Sequence, residues 1–281
     1  MKILLTTYPS GIERVYQAVL LRCVAGFQEE AVKILIPAYA EALYEFQSDI
    51  RQDAWPTDLK RAFSRLNLAL GALVGDSVKK VPPVAEQVVV HSRNRWRVWA
   101  AQVVGVNIFR PKGEAAWLNP MVQSWTGENS RLITSIATQY LDKVAQRSQD
   151  MVRSGTSPLA FAAELQAVYD LTRSRAKLIA RTEIAKLNGQ ITQARQQRLG
   201  IEVYTWATAR DERVRDSHAV LEGKECRWDD PTVYRDSGDT EWTRRARIGA
   251  FEGHPGEDFQ CRCVSYADIE TTLDTLLGNA A

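Results

Sequence analysis

Three of the four cysteines and two of the three histidines of this chain fall between His218 and Cys263. The set is His218, Cys226, His254, Cys261 and Cys263. Thiolate and imidazole are the donors that Zn²⁺ selects, and four such ligands close a structural site. The spacing departs from a zinc knuckle, because Cys261-Arg262-Cys263 stands where a Cys-x-x-Cys is usual. On a strand, residues two apart face the same side. Both sulfurs of that motif can then reach one ligand, together with His218 and either Cys226 or His254. Three arrangements fit these residues: a zinc clamp, buried thiols beside a hydrogen-bonded histidine, or a disulfide. The fourth cysteine, Cys23, lies in a helical apolar pattern and reads as a small core side chain.

Asp211, Arg213 and Arg215 lie just ahead of His218. Arginine forks hold a fixed geometry on carboxylates, so these three are expected to form an ion-pair network pinning a turn against a long helix. The same neighbourhood allows a metal-assisted site using Asp211 and His218, or a nucleophilic Cys226 or Cys261 beside a histidine. Against both stands the lack of a His-Glu-x-x-His, a Gly-x-Ser-x-Gly, a phosphate-binding glycine loop or a dinucleotide fingerprint. The chain reads as non-enzymatic.

A second feature is cationic. Arg173, Arg175, Lys177, Arg181, Lys186, Arg195 and Arg198 share one helical stretch with a single acid, Glu183. Arg173, Lys177, Arg181, Arg195 and Arg198 fall on about a third of the helix circumference. Such a stripe suits sequence-independent contact with phosphate backbones. Alternatively it is a solvated face, or it pairs with the acid-rich stretch 229–258.

Elements must place these residues. Ile12 to Val24 repeats apolar residues at three- and four-residue spacing, with Pro37 expected to end or kink the helix. A second helix follows Trp55-Pro56-Thr57, striped by Leu59, Ala62, Phe63, Leu66, Leu70 and Leu73. Pro82-Pro83 breaks the chain before a third helix to Val104. Residues 105–128, with Gly105, Pro111, Gly113, Pro120 and Gly127, read as loop. A fourth helix spans Asn129 to Met151. Ser157 and Pro158 start a short helix to Tyr169, and a long one runs from Arg173 to Leu199. The period then changes: Ile201 to Trp206 reads as a strand, and Arg210 to Leu221 as a turn leading into a short helix. Residues 223–258 read as mostly irregular, Phe259 to Tyr266 as a closing strand, and the end as a short helix. The fold class is α+β, predominantly α-helical. Its parts are a helical N-terminal region (1–128), a helical connector (129–172) and a small C-terminal α+β domain with a few short strands (173–281).

The 281 residues are 45% hydrophobic and 25% charged, with net charge +2. This excludes wholesale disorder and a globally basic nucleic-acid binder. No apolar run approaches a membrane span, and the apolar start Met1–Leu5 is too short for a signal peptide. The expected setting is a cytoplasm, where disulfides are rare. Eight tryptophans are many, and Trp55, Trp117, Trp125, Trp228 and Trp242 fall in expected loops. They suit either an interface or closure of the core.

An ordered series resembles the phage Mu F-like family of minor head, or head morphogenesis, proteins. It comprises Ala180-Arg181-Thr182-Glu183-Ile184-Ala185, Asn188-Gly189, Gly200-Ile201, Trp206, Asp211-x-Arg213-x-Arg215-x-Ser217-His218, Gly223, Asp230-Pro231, His254-Pro255-Gly256 and Cys261-Arg262-Cys263. The resemblance is good over 173–266 and looser over 125–155. It implies a low-copy component of the head interior of a tailed bacteriophage or prophage. The implied partners are the portal and major capsid proteins and double-stranded DNA, with roles in head assembly and in DNA packaging or ejection. The chain would lie at the portal vertex of the virion, and in the host cytoplasm during assembly. The histidines and cysteines would be a structural cluster, with zinc as the candidate metal. A metal-dependent nuclease and a scaffolding-type assembly chaperone are the alternatives.

Overall fold

A computed structural model of the chain describes residues 7–48, 57–104 and 113–267. The start Met1–Leu5, Trp55-Pro56, the 105–112 part of the expected loop and the expected C-terminal helix lie outside the described residues. Five long helices come first: α1 (Ser10–Gln47), α2 (Thr57–Val78), α3 (Val81–Val104), α4 (Glu114–Arg153) and α5 (Pro158–Arg198). Then come β1 (Val203–Ala207), the one-turn α6 (Asp216–Ala219), β2 (Glu225–Arg227), β3 (Val233–Arg235), β4 (Thr243–Arg244) and β5 (Val264–Ala267). The fold is α+β and mostly α. No described helix is long and apolar enough to cross a membrane.

The chain divides into two compact units. One comprises 14–82 and 126–180, and its described elements are all helices. Of the expected stripes, Tyr16, Leu20 and Val24 of α1, Leu59, Leu66 and Leu70 of α2, and Ile133, Tyr140 and Val144 of α4 are buried, whereas Val15 is exposed, and the buried face of α1 continues beyond the expected stretch through Phe27, Leu35 and Tyr39. Tyr39 stacks on Phe161 with ring centroids 4.2 Å apart. Cys23 is buried among these helices, its thiol 3.7 Å from the Leu73 carbonyl. α1 passes through Pro37 without ending. A helix-interior proline costs about 3 kcal/mol, and the buried Leu35 and Tyr39 on either side offset it.

The other unit comprises 1–13, 83–125 and 181–281. It holds an antiparallel sheet in the order β4-β3-β2-β1-β5. β1 lies between β2 and β5, with Tyr204 opposite Cys226 of β2 and Trp206 opposite Ser265 of β5.

Four expectations are corrected. Residues 114–128 are the start of α4 rather than loop, because Leu118 and Trp125 bury their side chains and the Trp125 indole donates to the Glu183 carbonyl at 2.9 Å. α5 is one helix where two were expected. The polar stretch that looked like a break bonds back along the helix, Thr172 to the Val168 carbonyl and Ser174 to that of Asp170. The stretch 223–258 holds three strands, each of three residues or fewer and so too short to show a period. The closing strand starts only at Val264, because the backbone turns at Gln260 (φ 54°).

Candidate metal centre

β1 delivers the chain to a turn clamped by Glu222, which accepts from the amide and hydroxyl of Thr208 at 2.6 and 2.7 Å and from Arg210. The turn leads into α6, whose one side chain directed inward is His218, 2% exposed. Its ring stacks on Phe251 and meets the edge of Trp206. Nδ1 lies 3.5 Å from the Cys263 sulfur and 3.7 Å from that of Cys261. Nε2, on the other side of the ring, lies 3.0 Å from Asp258 Oδ2. The Nδ1 and the two sulfurs all lie within 4.8 Å of one another.

The turn at Gln260 makes this possible. Gln260 is one of two non-glycine residues with positive φ among the described residues, a conformation that costs about 1 kcal/mol or more. Its amide donates to Thr182 Oγ1 at 3.1 Å and its side chain accepts from Arg181 at 3.0 Å. Arg181 is in turn paired with Glu13. The turn brings both sulfurs to His218 although neither lies on a strand, so the strand argument for Cys-x-Cys is replaced by a turn. Behind it the backbone of His254-Pro255-Gly256 lies against α5. A Cβ on Gly189 would sit 2.4 Å from the Pro255 carbonyl, and one on Gly256, at φ +95°, 2.5 Å from that of Ala185.

Electrostatics favours one thiolate in the pair. Hydrogen bonds from the Cys263 thiol, from His218 and from the Gly256 amide bring Cys261 down to about 5, against the opposing effect of burial. Cys263 moves up, because it holds the proton that Cys261 shares and because it is buried. Thiolate is the metal-binding form. Tetrahedral zinc with its usual bonds to nitrogen and sulfur sets ligand atoms about 3.5 to 3.8 Å apart. The two observed nitrogen–sulfur distances match that edge. Asp258 sits where a second carboxylate orients a metal-bound histidine through its far nitrogen. The three side chains thus form a cluster able to hold a metal ion.

Of the five expected ligands, Cys226 and His254 do not join the cluster. Cys226 faces Tyr204 across the sheet, and burial raises its thiol to about 11. His254 Nδ1 pairs with the Tyr204 hydroxyl at 3.1 Å, and its ring packs against Trp228. Burial lowers its pKa. The ion-pair network exists but has another anchor. Asp211 takes two 2.6 Å bonds from Arg262 and two from Arg213, one from its amide and one from its guanidinium, which hold its carboxyl well below the usual range. Arg215 reaches Asp258 at 2.6 Å and the Phe259 carbonyl at 2.7 Å. The turn is pinned to 258–262, not to the long helix.

The cationic stripe is not a continuous surface. Arg195 is buried against Glu114 and cannot reach a phosphate. Arg181 is half-buried, on Glu13 and Gln260, while Arg173 and Arg198 are exposed and Lys177 is half-buried. The acids of 229–258 partner neither Arg181 nor Arg195. Their carboxylates are Glu13 and Glu114, far off in sequence. Trp125 and Trp228 are buried, and Trp117 and Trp242 are half-buried beneath arginines.

One residue escaped sequence reasoning. Arg245 is fully buried, donating to the carbonyls of Val233, Phe251 and Gly253 and lying over the Trp206 ring. It frames the loop that carries Phe251 and His254. Only its place in an arginine-rich run, Arg244-Arg245-Ala246-Arg247, was visible, and that run reads as surface.

Residues 142–266 match the family described as phage Mu protein F like protein. A protein of Haemophilus influenzae, described as uncharacterized, is 38% identical over 143 residues, which are 51% of this chain and 28% of that protein. The chain thus spans little more than a quarter of that relative. No solved structure matches. The family region contains His218, Cys261 and Cys263 and the turn that joins them, and it begins at 142, inside the stretch of looser resemblance. Over residues 142–266, less than half of its length, the chain is thus similar to the phage Mu protein F-like family.

Proposed function

We propose that the chain is a minor head protein of a tailed bacteriophage or prophage, associated with the portal and acting in head morphogenesis and in DNA packaging or ejection. The observation that carries this reading is the family match over 142–266. The role is structural rather than enzymatic: the polar side chains of the site bond to one another in closed pairs, and its carboxylates are occupied by arginines and His218. In this reading His218, Cys261 and Cys263 hold one zinc ion. The ion fastens α6 to the segment before β5, adding a link to the apolar cluster around Tyr204, Trp206 and Trp228. Contact with double-stranded DNA falls to the exposed Arg173, Arg198 and the half-buried Lys177, without sequence preference.

Mass spectrometry of purified particles, with affinity capture on the portal protein, tests the assignment. Presence in mature heads and retention by the portal support it. Absence from mature particles with presence in precursors would make the chain an assembly chaperone. Cleavage of plasmid DNA with added divalent metal, abolished by His218→Ala, would make it a nuclease. Metal analysis of the full chain tests the zinc, with about one ion per chain expected.

A further inference from the structure

The cluster supplies three donors, while structural zinc sites are closed by four protein ligands. Among the described residues nothing near supplies the fourth. Cys226 and His254 are committed to the sheet around Tyr204. Asp258 lies at Nε2, on the side of the imidazole away from the sulfurs, and is held there by Arg215. The three donor side chains also line a cavity of about 200 Å³. The rest of its wall includes Arg181, Arg213, Arg215, Arg262 and Gln260, and no carboxylate lines it.

Charge and size together specify what fits there. Four guanidiniums face the cavity, and the three carboxylates that pair with them, Glu13, Asp211 and Asp258, lie outside its lining. A zinc ion with two thiolates is neutral, so the surplus at the fourth position is positive and favours an anion. Guanidinium forks match the oxygens of phosphate. Pockets for whole small molecules run from about 300 Å³ upward, so this one holds a single tetrahedral group rather than a nucleotide.

Resting on the zinc reading above, we infer that the fourth coordination position is open and takes a phosphate oxygen, from free phosphate or from a phosphodiester of the DNA backbone. Zinc binds the oxygen, and the arginines hold the others. The ligand is bound, not turned over: no bond in it is broken, and Asp258, engaged by His218 and Arg215, is not placed to activate water.

The full chain loaded with Co²⁺ in place of Zn²⁺ tests this, because cobalt reports its own coordination in its visible spectrum. Inorganic phosphate and a short DNA duplex are added separately. A change in the cobalt bands with phosphate alone, or with both, identifies the free anion as a ligand. A change with duplex alone identifies the backbone phosphodiester. Arg213→Gln, an exposed wall residue, keeps the metal and weakens the response about tenfold or more. A chain that holds one metal ion per molecule with a spectrum unmoved by either probe overturns the inference and leaves the zinc standing. A chain that takes up no metal overturns the zinc itself.

Discussion

The helical unit and the sheet-bearing unit are held together by different means. In 14–82 and 126–180, long helices bury apolar faces, and polar contacts such as the Tyr39 hydroxyl to the Thr156 carbonyl at 2.8 Å supplement them. In the other unit, strands of two to five residues cannot bury enough surface alone. There the fold leans on buried polar groups: Arg245 on three carbonyls, Arg195 on Glu114, and His218 between two sulfurs and Asp258. An apolar contact tolerates small shifts, whereas a buried polar group left unpaired costs its desolvation. The first unit should therefore absorb changes that the second cannot.

Glycine substitutions give the sharpest contrast. Gly256→Ala drives a Cβ into the Ala185 carbonyl at a backbone angle that suits only glycine. We expect the largest loss, above about 4 kcal/mol in a chemical unfolding series or no folded product. Removing a charge partner comes next. Glu114→Ala removes a carboxylate bonded to the buried Arg195 and should cost about 3 to 5 kcal/mol by the same measurement. Chelation of metal should lower the melting temperature of the wild-type chain and leave Cys263→Ser, already metal-free, where it was. Equal shifts in both would separate the cluster from stability. Tyr39→Phe in the helical unit removes one hydrogen bond and should cost about 1 kcal/mol. The smallest effect is Gly26→Ala. Its Cβ meets the Leu73 Cδ1 at 2.9 Å, the movable end of a side chain, and alanine is the better helix former. A change within about 1 kcal/mol is expected, and a loss as large as that of Gly256→Ala would erase the contrast between the units.

The same contrast explains what the chain reveals as text. The stripes of α1, α2 and the second half of α4 repeat over many turns, so their buried residues could be read directly. Proline and glycine misled over 114–128, where Leu118 and Trp125 decide the outcome through packing that only folding brings about. At the cluster, residue types were legible and membership was not. His218, Cys261 and Cys263 meet through the backbone turn at Gln260, a residue with no compositional mark of a turn. Cys226 and His254 carry the same chemistry and are used by the sheet instead. For the cations, charge pattern showed the helix face but not Glu13 and Glu114, partners far away along the chain.

The position of β5 bears on synthesis. A ribosome releases β1, β2, β3 and β4 in order, and each can pair with the one before it. The other edge of β1 has no mate until Val264 to Ala267 are translated. A message truncated upstream of Cys261 therefore yields a nascent product whose β1 keeps an open flank beside Trp206, and whose His218 lacks both sulfurs. Such a product would offer an unpaired strand edge and an unanchored α6 to cellular proteases, so incomplete copies would be degraded in preference to the finished chain.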